Sequence, residues 1–291
     1  MAHETFQAGD LTAVIGDNEP YDKRRGGYNG VHLLTHRTSP TPLFVPEWTG
    51  LNFEHIFDGD QDLRNSTSSD GNIFFEPRRA PMELRRISES EAELHQPPTP
   101  TFFLESWTRF KLVAPHYIDF TFRCKPHQHA FRNGYIGLFW ASYMNAPENK
   151  SVYFRDPKGW VQLCTQGHNV ESTVRHQDDA LELKFADVDA QTLYRNLSPL
   201  RYAHPFFYGH LGRHLYILMF DRSEGIRFSH SPSSGGPPSA PNPAWDWQFL
   251  IPRFEVLQEY GYRARMAFRE RCPREGILQE FKGWRDSLGV K

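Results

Sequence analysis

The stretch Tyr202–Asp221, YAHPFFYGHLGRHLYILMFD, ends in the apolar run Leu215–Phe220. A run so short, with aromatic and branched side chains, reads as a buried β-strand rather than a helix. Ahead of it, His204, His210 and His214 stand among Tyr202, Phe206, Phe207 and Tyr208, which places polar ring nitrogens at the mouth of a β-core. One histidine beside aromatics is commonly a core side chain bonded to a carbonyl; three so close together make a candidate site.

The β period extends outward from this stretch. Upstream, Gly134–Tyr143 is a nearly continuous apolar run, fitting a strand buried on both faces or lining a pocket. Phe110 and Leu112, then Ile118, Phe120 and Phe122, recur at every second place, the spacing of one strand face. Met82–Ile87 and a segment ending at His95 predict two more strands. Gly26–Phe57, broken by Gly-Gly, Asn-Gly, Pro40, Pro42 and Pro46, predicts two or three short ones. Asp58–Asn72 is turn-rich and predicts a surface loop. Trp160–Cys164 and Leu181–Phe185 predict paired strands, and Asp187–Asn196 a helix. Downstream, Ser231–Pro243 is a Ser-, Gly- and Pro-rich loop. Tyr260, Tyr262, Ala264, Met266 and Phe268 then alternate with arginines at 263, 265 and 269. Arg274–Leu288 carries Ile277, Leu278, Phe281, Trp284 and Leu288 on one helical face.

Many short strands, long loops and one closing helix describe an all-β fold, a large antiparallel β-sandwich with a C-terminal helix. A chain of 291 residues fits a single domain over residues 1–291, with 1–25 as an N-terminal extension and 274–291 as the closing helix. The net charge of −2, with no sustained basic block, removes the footprint of a nucleic-acid binder. Neither an apolar run of about 18 residues nor a secretory leader occurs, so the expectation is a cytoplasmic protein without membrane contact. Cys124, Cys164 and Cys272 are odd in number and widely spaced, which fits reduced thiols. The commonest nucleotide, serine-hydrolase and zinc-protease motifs are absent from the sequence.

The run Ala203-His204-Pro205-Phe206-Phe207, followed after the Pro-rich loop by Trp245-Asp246-Trp247-Gln248 and a last pair of strands, resembles the galactose mutarotase-like β-supersandwich superfamily. That superfamily includes aldose 1-epimerases and the central domains of many polysaccharide lyases and glycosidases. NGVHLLTHRTSPTPLFVPEWTGLNFEHI, ending at Ile56, is similar to the first strands of such a domain, so the resemblance covers most of residues 26–270. In the epimerases a His-x-Tyr-Phe type segment carries the general acid, and a late-strand carboxylate is the general base. The resemblance therefore implies His204 as acid and Asp246 as base in a carbohydrate-active enzyme that moves protons on a sugar, as epimerase, lyase or hydrolase. Here Tyr208-Gly209-His210 replaces the family's Asn-Leu-Gly tail, and Asp replaces its Glu.

A sugar ring offers hydroxyls to polar groups and C–H faces to aromatics. His210 and His214 are accordingly candidate proton carriers, and Trp140, Tyr143, Asn145, Phe207, Trp245 and Trp247 candidate substrate contacts. Arg79 and Arg265 are candidates for holding an acidic sugar. Two other functions remain open. His127 and His129, at i and i+2 in PHQH, share a face if they lie on a strand. With a third ligand from the later histidines they would hold a divalent metal in a metal-dependent sugar enzyme; otherwise no cofactor is expected. Alternatively the aromatics form the platform of a non-catalytic carbohydrate-binding module.

Overall fold

The computed structural model describes residues 2–39, 41–59, 73–185 and 193–289. In it the histidine stretch is a hairpin, Phe206–Leu211 paired antiparallel with His214–Phe220. Successive strand side chains point to opposite faces. Phe207, Tyr216, Leu218 and Phe220 enter the main core, while Phe206, Tyr208, Leu215, Ile217 and Met219 enter a second cluster on the other side. The uninterrupted apolar run is what a strand covered on both faces requires. At Gly209 a Cβ would stand 2.2 Å from the Trp245 ring, so only glycine lets the facing sheet approach this closely.

The hairpin belongs to a nine-stranded sheet. Edge to edge it runs Trp160–Leu163, Val152–Arg155, Phe206–Leu211, His214–Phe220, Tyr260–Glu270, Tyr117–Pro126, Leu104–Val113, Glu91–Gln96 and Glu83–Ser88. Packed against it is a six-stranded sheet, in the order Leu197–Tyr202, Thr173–His176, Ile226–Ser231, Ala244–Ile251, Ile136–Ala141 and Asn52–Phe57. Its first two strands run parallel, and its other pairings are antiparallel. A three-stranded sheet, His3–Ala8, Leu11–Gly16 and Gly30–His36, adds Phe6, Leu11, Ile15 and Leu34 to the same core. The residues expected as an N-terminal extension thus contribute two strands.

Two local expectations change. Leu181–Phe185 forms no strand: side chains hold it, with Arg227 donating to the Leu181 carbonyl and Tyr135 to that of Lys184. The helix expected over Asp187–Asn196 lies outside the described residues up to 192, and Leu193–Arg195 is a turn leading into the Leu197–Tyr202 strand. The Asp58–Asn72 loop also lies outside them beyond residue 59.

The amphipathic C-terminal segment forms the helix Arg274–Ser287, burying Ile277, Phe281 and Trp284 against the outer side of the nine-stranded sheet. Among the described residues no helix is long and apolar enough to cross a membrane. On the outer side of the six-stranded sheet, Phe57, Phe139 and Leu250 pack with Phe74, Leu193 and Tyr194, and among the described residues this cover is partial. Beside that patch the sheet opens into a cavity.

Candidate active site

The cavity measures about 540 Å³. Strand alternation decides what reaches it. Along Ala244–Ile251, Trp245, Trp247, Phe249 and Ile251 enter the core, and Asp246 faces the cavity. On the neighbouring strand Trp140 is inside, while Phe139 and Ala141 line the cavity wall. On Asn52–Phe57 the ladder slips between Phe53 and His55. This bulge leaves Glu54 as an extra residue, so two consecutive side chains, Glu54 and His55, both line the cavity.

Glu54 and Asp246 are both buried carboxyls, but their surroundings differ. Glu54 Oε1 accepts from the Tyr143 hydroxyl at 2.7 Å and from Arg78 Nη1 at 3.1 Å. The Arg78 guanidinium lies over Tyr28, 4.3 Å from its ring centre, and over Phe75 at 5.0 Å. It is a cation held in place by stacking as well as by charge. Among the described residues Asp246 Oδ1 accepts one hydrogen bond, from the Ser142 amide at 2.9 Å. Burial pushes the Asp246 carboxyl well above its ordinary range, and the charge of Glu54 pushes it further against that single amide bond. Burial also raises Glu54, opposed by Arg78 and Tyr143. Two carboxyls in one low-dielectric site do not both ionise freely, and Asp246, with no cation bonded to it among the described residues, is the one biased toward its protonated form.

Two imidazoles complete the set. His55 Nδ1 meets the Tyr194 hydroxyl at 2.9 Å and its ring stacks on Phe139 at 4.9 Å. Its buried Nε2 has no hydrogen-bond partner among the described residues, Glu54 Oε2 being 3.9 Å away. Burial first, then the charges of Arg78 and His168, hold this ring neutral. His168 Nδ1 is 2.9 Å from the Ser231 hydroxyl, and burial lowers its pKa too. Trp48, half-buried on the cavity wall, meets Tyr143 edge-on at 5.1 Å. The cavity thus joins a carboxyl whose burial favours its protonated form, a carboxyl–guanidinium pair, two imidazoles whose burial favours the neutral ring, and an aromatic face.

Of the residues expected from the sequence, Asp246 and Tyr143 are in this cavity. The others fall elsewhere. Trp140, Trp245, Trp247 and Phe207 are core residues: Trp140 stacks on Trp247 at 5.5 Å, and the two later indoles donate to the Lys150 carbonyl and the Tyr262 hydroxyl. The alternation that turns Asp246 outward turns its flanking tryptophans inward. His204 packs near Phe281, and His210 between Tyr153 and Tyr208, on the helix-covered side of the nine-stranded sheet. His204 and Asp246 therefore sit on outer faces of different sheets, and the acid–base pair implied by the resemblance is not assembled. His214 Nε2 bonds to Thr38 at 2.9 Å in a separate recess of about 340 Å³, which Asn145 also lines.

Arg265 forks onto Asp119 at 2.6 and 2.9 Å beneath Trp284, and Arg79 is exposed while its neighbour Arg78 enters the cavity. His127 and His129 follow the strand rather than lying on it, so the i, i+2 argument does not apply to them. His127 bonds to Glu105 at 2.8 Å and His129 packs by Phe254. Among the described residues no group of three or more His, Cys, Asp or Glu side chains is arranged to hold a metal. Glu54, His55 and His168 were not singled out from the sequence, because a bulge and an isolated loop histidine leave no periodic signal; Arg78 stood out there only as one of the basic cluster Arg78, Arg79, Arg85 and Arg86.

No protein-family model matches the chain, and no curated protein matches it in sequence. Solved structures do. The chain is similar to a proposed aldose 1-epimerase from Escherichia coli K12, at a TM-score of 0.57 and 9% identity over 92% of this chain and 99% of that one. It is similar to a galactose mutarotase related enzyme from Lactobacillus acidophilus, at 0.56 and 12% identity over 93% and 100% of the two chains. A galactose mutarotase-like protein from Lactobacillus casei matches at 0.52 and 11% identity, over 92% and 100%. What is shared at such identities is the fold. The chain has the galactose mutarotase-like β-supersandwich fold, as its sequence resemblance implied.

Proposed function

We propose that the cavity on the six-stranded sheet binds a sugar and interconverts its anomers by acid–base proton transfer. The observation that carries this is the placing of Asp246 and Glu54 in one cavity with Arg78, His55 and His168. Asp246 gives its proton to the ring oxygen as the bond from that oxygen to the anomeric carbon breaks. His168, with Nδ1–H donating to Ser231 Oγ, takes the proton of the anomeric hydroxyl on Nε2. An open-chain aldehyde results, and closure on its other face returns both protons and yields the other anomer. A neutral imidazole and a protonated carboxyl are the forms this exchange needs. The Glu54–Arg78–Tyr143 group stays charged and fixed, orienting hydroxyls, and Trp48 offers a face to the apolar side of the ring.

The test is anomer exchange measured by NMR on a panel of aldoses. Asp246→Asn and His168→Ala are each expected to lower the rate about 10²- to 10⁴-fold, and His204→Ala to leave it within about twofold, since a folded-state contact far from substrate carries no transition-state charge. Loss of activity in His204→Ala, with Asp246→Asn active, would move the site to the other sheet. Sugar binding without any exchange would make the cavity a binding module.

A further inference from the structure

The outward face of the six-stranded sheet continues from the cavity toward the Leu197–Tyr202 edge. Three arginines face one another there, because Arg175 is the ladder partner of Arg227 on one side and of Arg201 on the other. Like charges directly opposite in a sheet repel, so a row of three needs something to offset it. The available partners are unevenly shared. Arg227, only 1% exposed, forks onto Asp179 at 2.7 and 3.2 Å and donates to the Leu181 carbonyl at 2.6 Å. Arg201 Nη1 donates to the carbonyls of His176 and Asp179, at 3.2 and 2.8 Å. Arg175 has no such support among the described residues: its buried Nε finds no hydrogen-bond partner there. Burial, then the charges of Arg201 and Arg227, depress its pKa against the opposing charges of Asp179 and Glu182, and Asp179 is already forked by Arg227.

Arg175 and Arg227 open into a recess of about 370 Å³, whose lining also includes Glu182. Tyr194 lines both this recess and the acid–base cavity, so the two adjoin across one side chain. We propose that the arginine row is an oxyanion subsite, led by Arg175, that takes the carboxylate, sulfate or phosphate of a sugar whose ring occupies the neighbouring cavity. A guanidinium fork matches two oxygens of any of these groups. The choice of an anionic sugar rests on the sugar-binding role proposed for the cavity; the affinity of the row for an oxyanion does not.

Inorganic phosphate, inorganic sulfate, galacturonate and neutral galactose are titrated calorimetrically against the full chain, with thermal melts beside them. At least one of the three anions is expected to bind and to raise Tm. Arg175→Gln is expected to weaken that binding about tenfold or more, the worth of one charge-assisted pair, and to leave galactose affinity unchanged. Without anion the same variant is expected to melt higher than the wild type, because the repulsive cation is gone, an effect that a merely structural arginine would reverse. Arg175→Lys, keeping the charge without the fork, is expected to fall between, and Arg201→Gln serves as a second probe if Arg175→Gln does not fold. Anions that bind equally to Arg175→Gln, or do not bind at all, overturn the subsite. Galactose binding in that case leaves the cavity proposal standing, whereas Arg175-dependent phosphate binding with no sugar bound upholds the subsite and sinks the cavity proposal.

Discussion

The two outer faces of the sandwich are built on the same strand period, yet at the hairpin one is sealed by a helix, while the other, among the described residues, opens into a cavity. On the hairpin strands of the nine-stranded sheet the outward positions are Phe206, Tyr208, Leu215, Ile217 and Met219, a surface that only another apolar surface can cover, and the helix Arg274–Ser287 does so. On the six-stranded sheet the outward positions include Asp246, Gln248, Arg227, Ser229 and Ser231. Burying those under a helix would strip water from each polar group, so they are instead bonded among themselves, as Gln248 Nε2 is to Ser229 and Thr173 at 2.8 and 3.0 Å, or left facing a cavity. The difference teaches that His204 and His210 lie on the side the helix covers, while the outward polar places of the six-stranded sheet supply residues such as Asp246 and Ser231 to the cavity wall.

The contrast can be broken in four ways. Phe281→Ala is expected to lose about 3–5 kcal/mol of stability in chemical denaturation, as for large-to-small core changes, with sugar affinity unaltered. A small loss would mean the helix does not seal the sheet. Asp246→Asn tests the hollow face through pH. The folded Asp246 holds its proton more tightly than the ordinary value of 3.8 allows, so its contribution is complete below that value and is lost as pH rises through the folded one. The variant should therefore match the wild type in Tm near pH 3 and exceed it increasingly as pH rises toward neutrality; parallel curves would mean that Asp246 is ionised in the native state. Trp48→Ala should weaken sugar binding by about 1–2 kcal/mol, roughly the worth of an aromatic contact plus its buried area, without moving Tm by much. Asp119→Asn, which unpairs Arg265 on the sealed side, should change stability by less than about 1 kcal/mol in the same denaturation assay, since both partners are partly exposed.

Much of the fold was legible in the residues. The apolar run Leu215–Phe220, the alternation around Phe120 and the helical face ending at Leu288 each carry their own period, and period is a local property. The site was less so. Alternation separated Asp246 from Trp245 and Trp247, but which side held the cavity depended on what packed across the sheet. His204, Phe206, Tyr208 and His210 share a parity, and that parity proved to be the side the helix covers. Glu54 and His55 point together because of one extra residue in a ladder, and the arginine row exists only once three strands from distant parts of the chain are placed in register. Local pattern encodes neither fact.

The closing helix has a consequence for how the chain is made. Beside its contacts with the adjacent strand Tyr260–Glu270, the helix covers strands that precede it by many residues, so Phe206, Leu215, Ile217 and Met219 are laid down well before Phe281 and Trp284 exist to cover them. During that interval a nascent sheet would show water an oily strip, the kind of surface that draws chaperones or sticks to its own copies. The last fourteen-residue helix is then less an ornament of the finished molecule than the latch that ends its most adhesive stage.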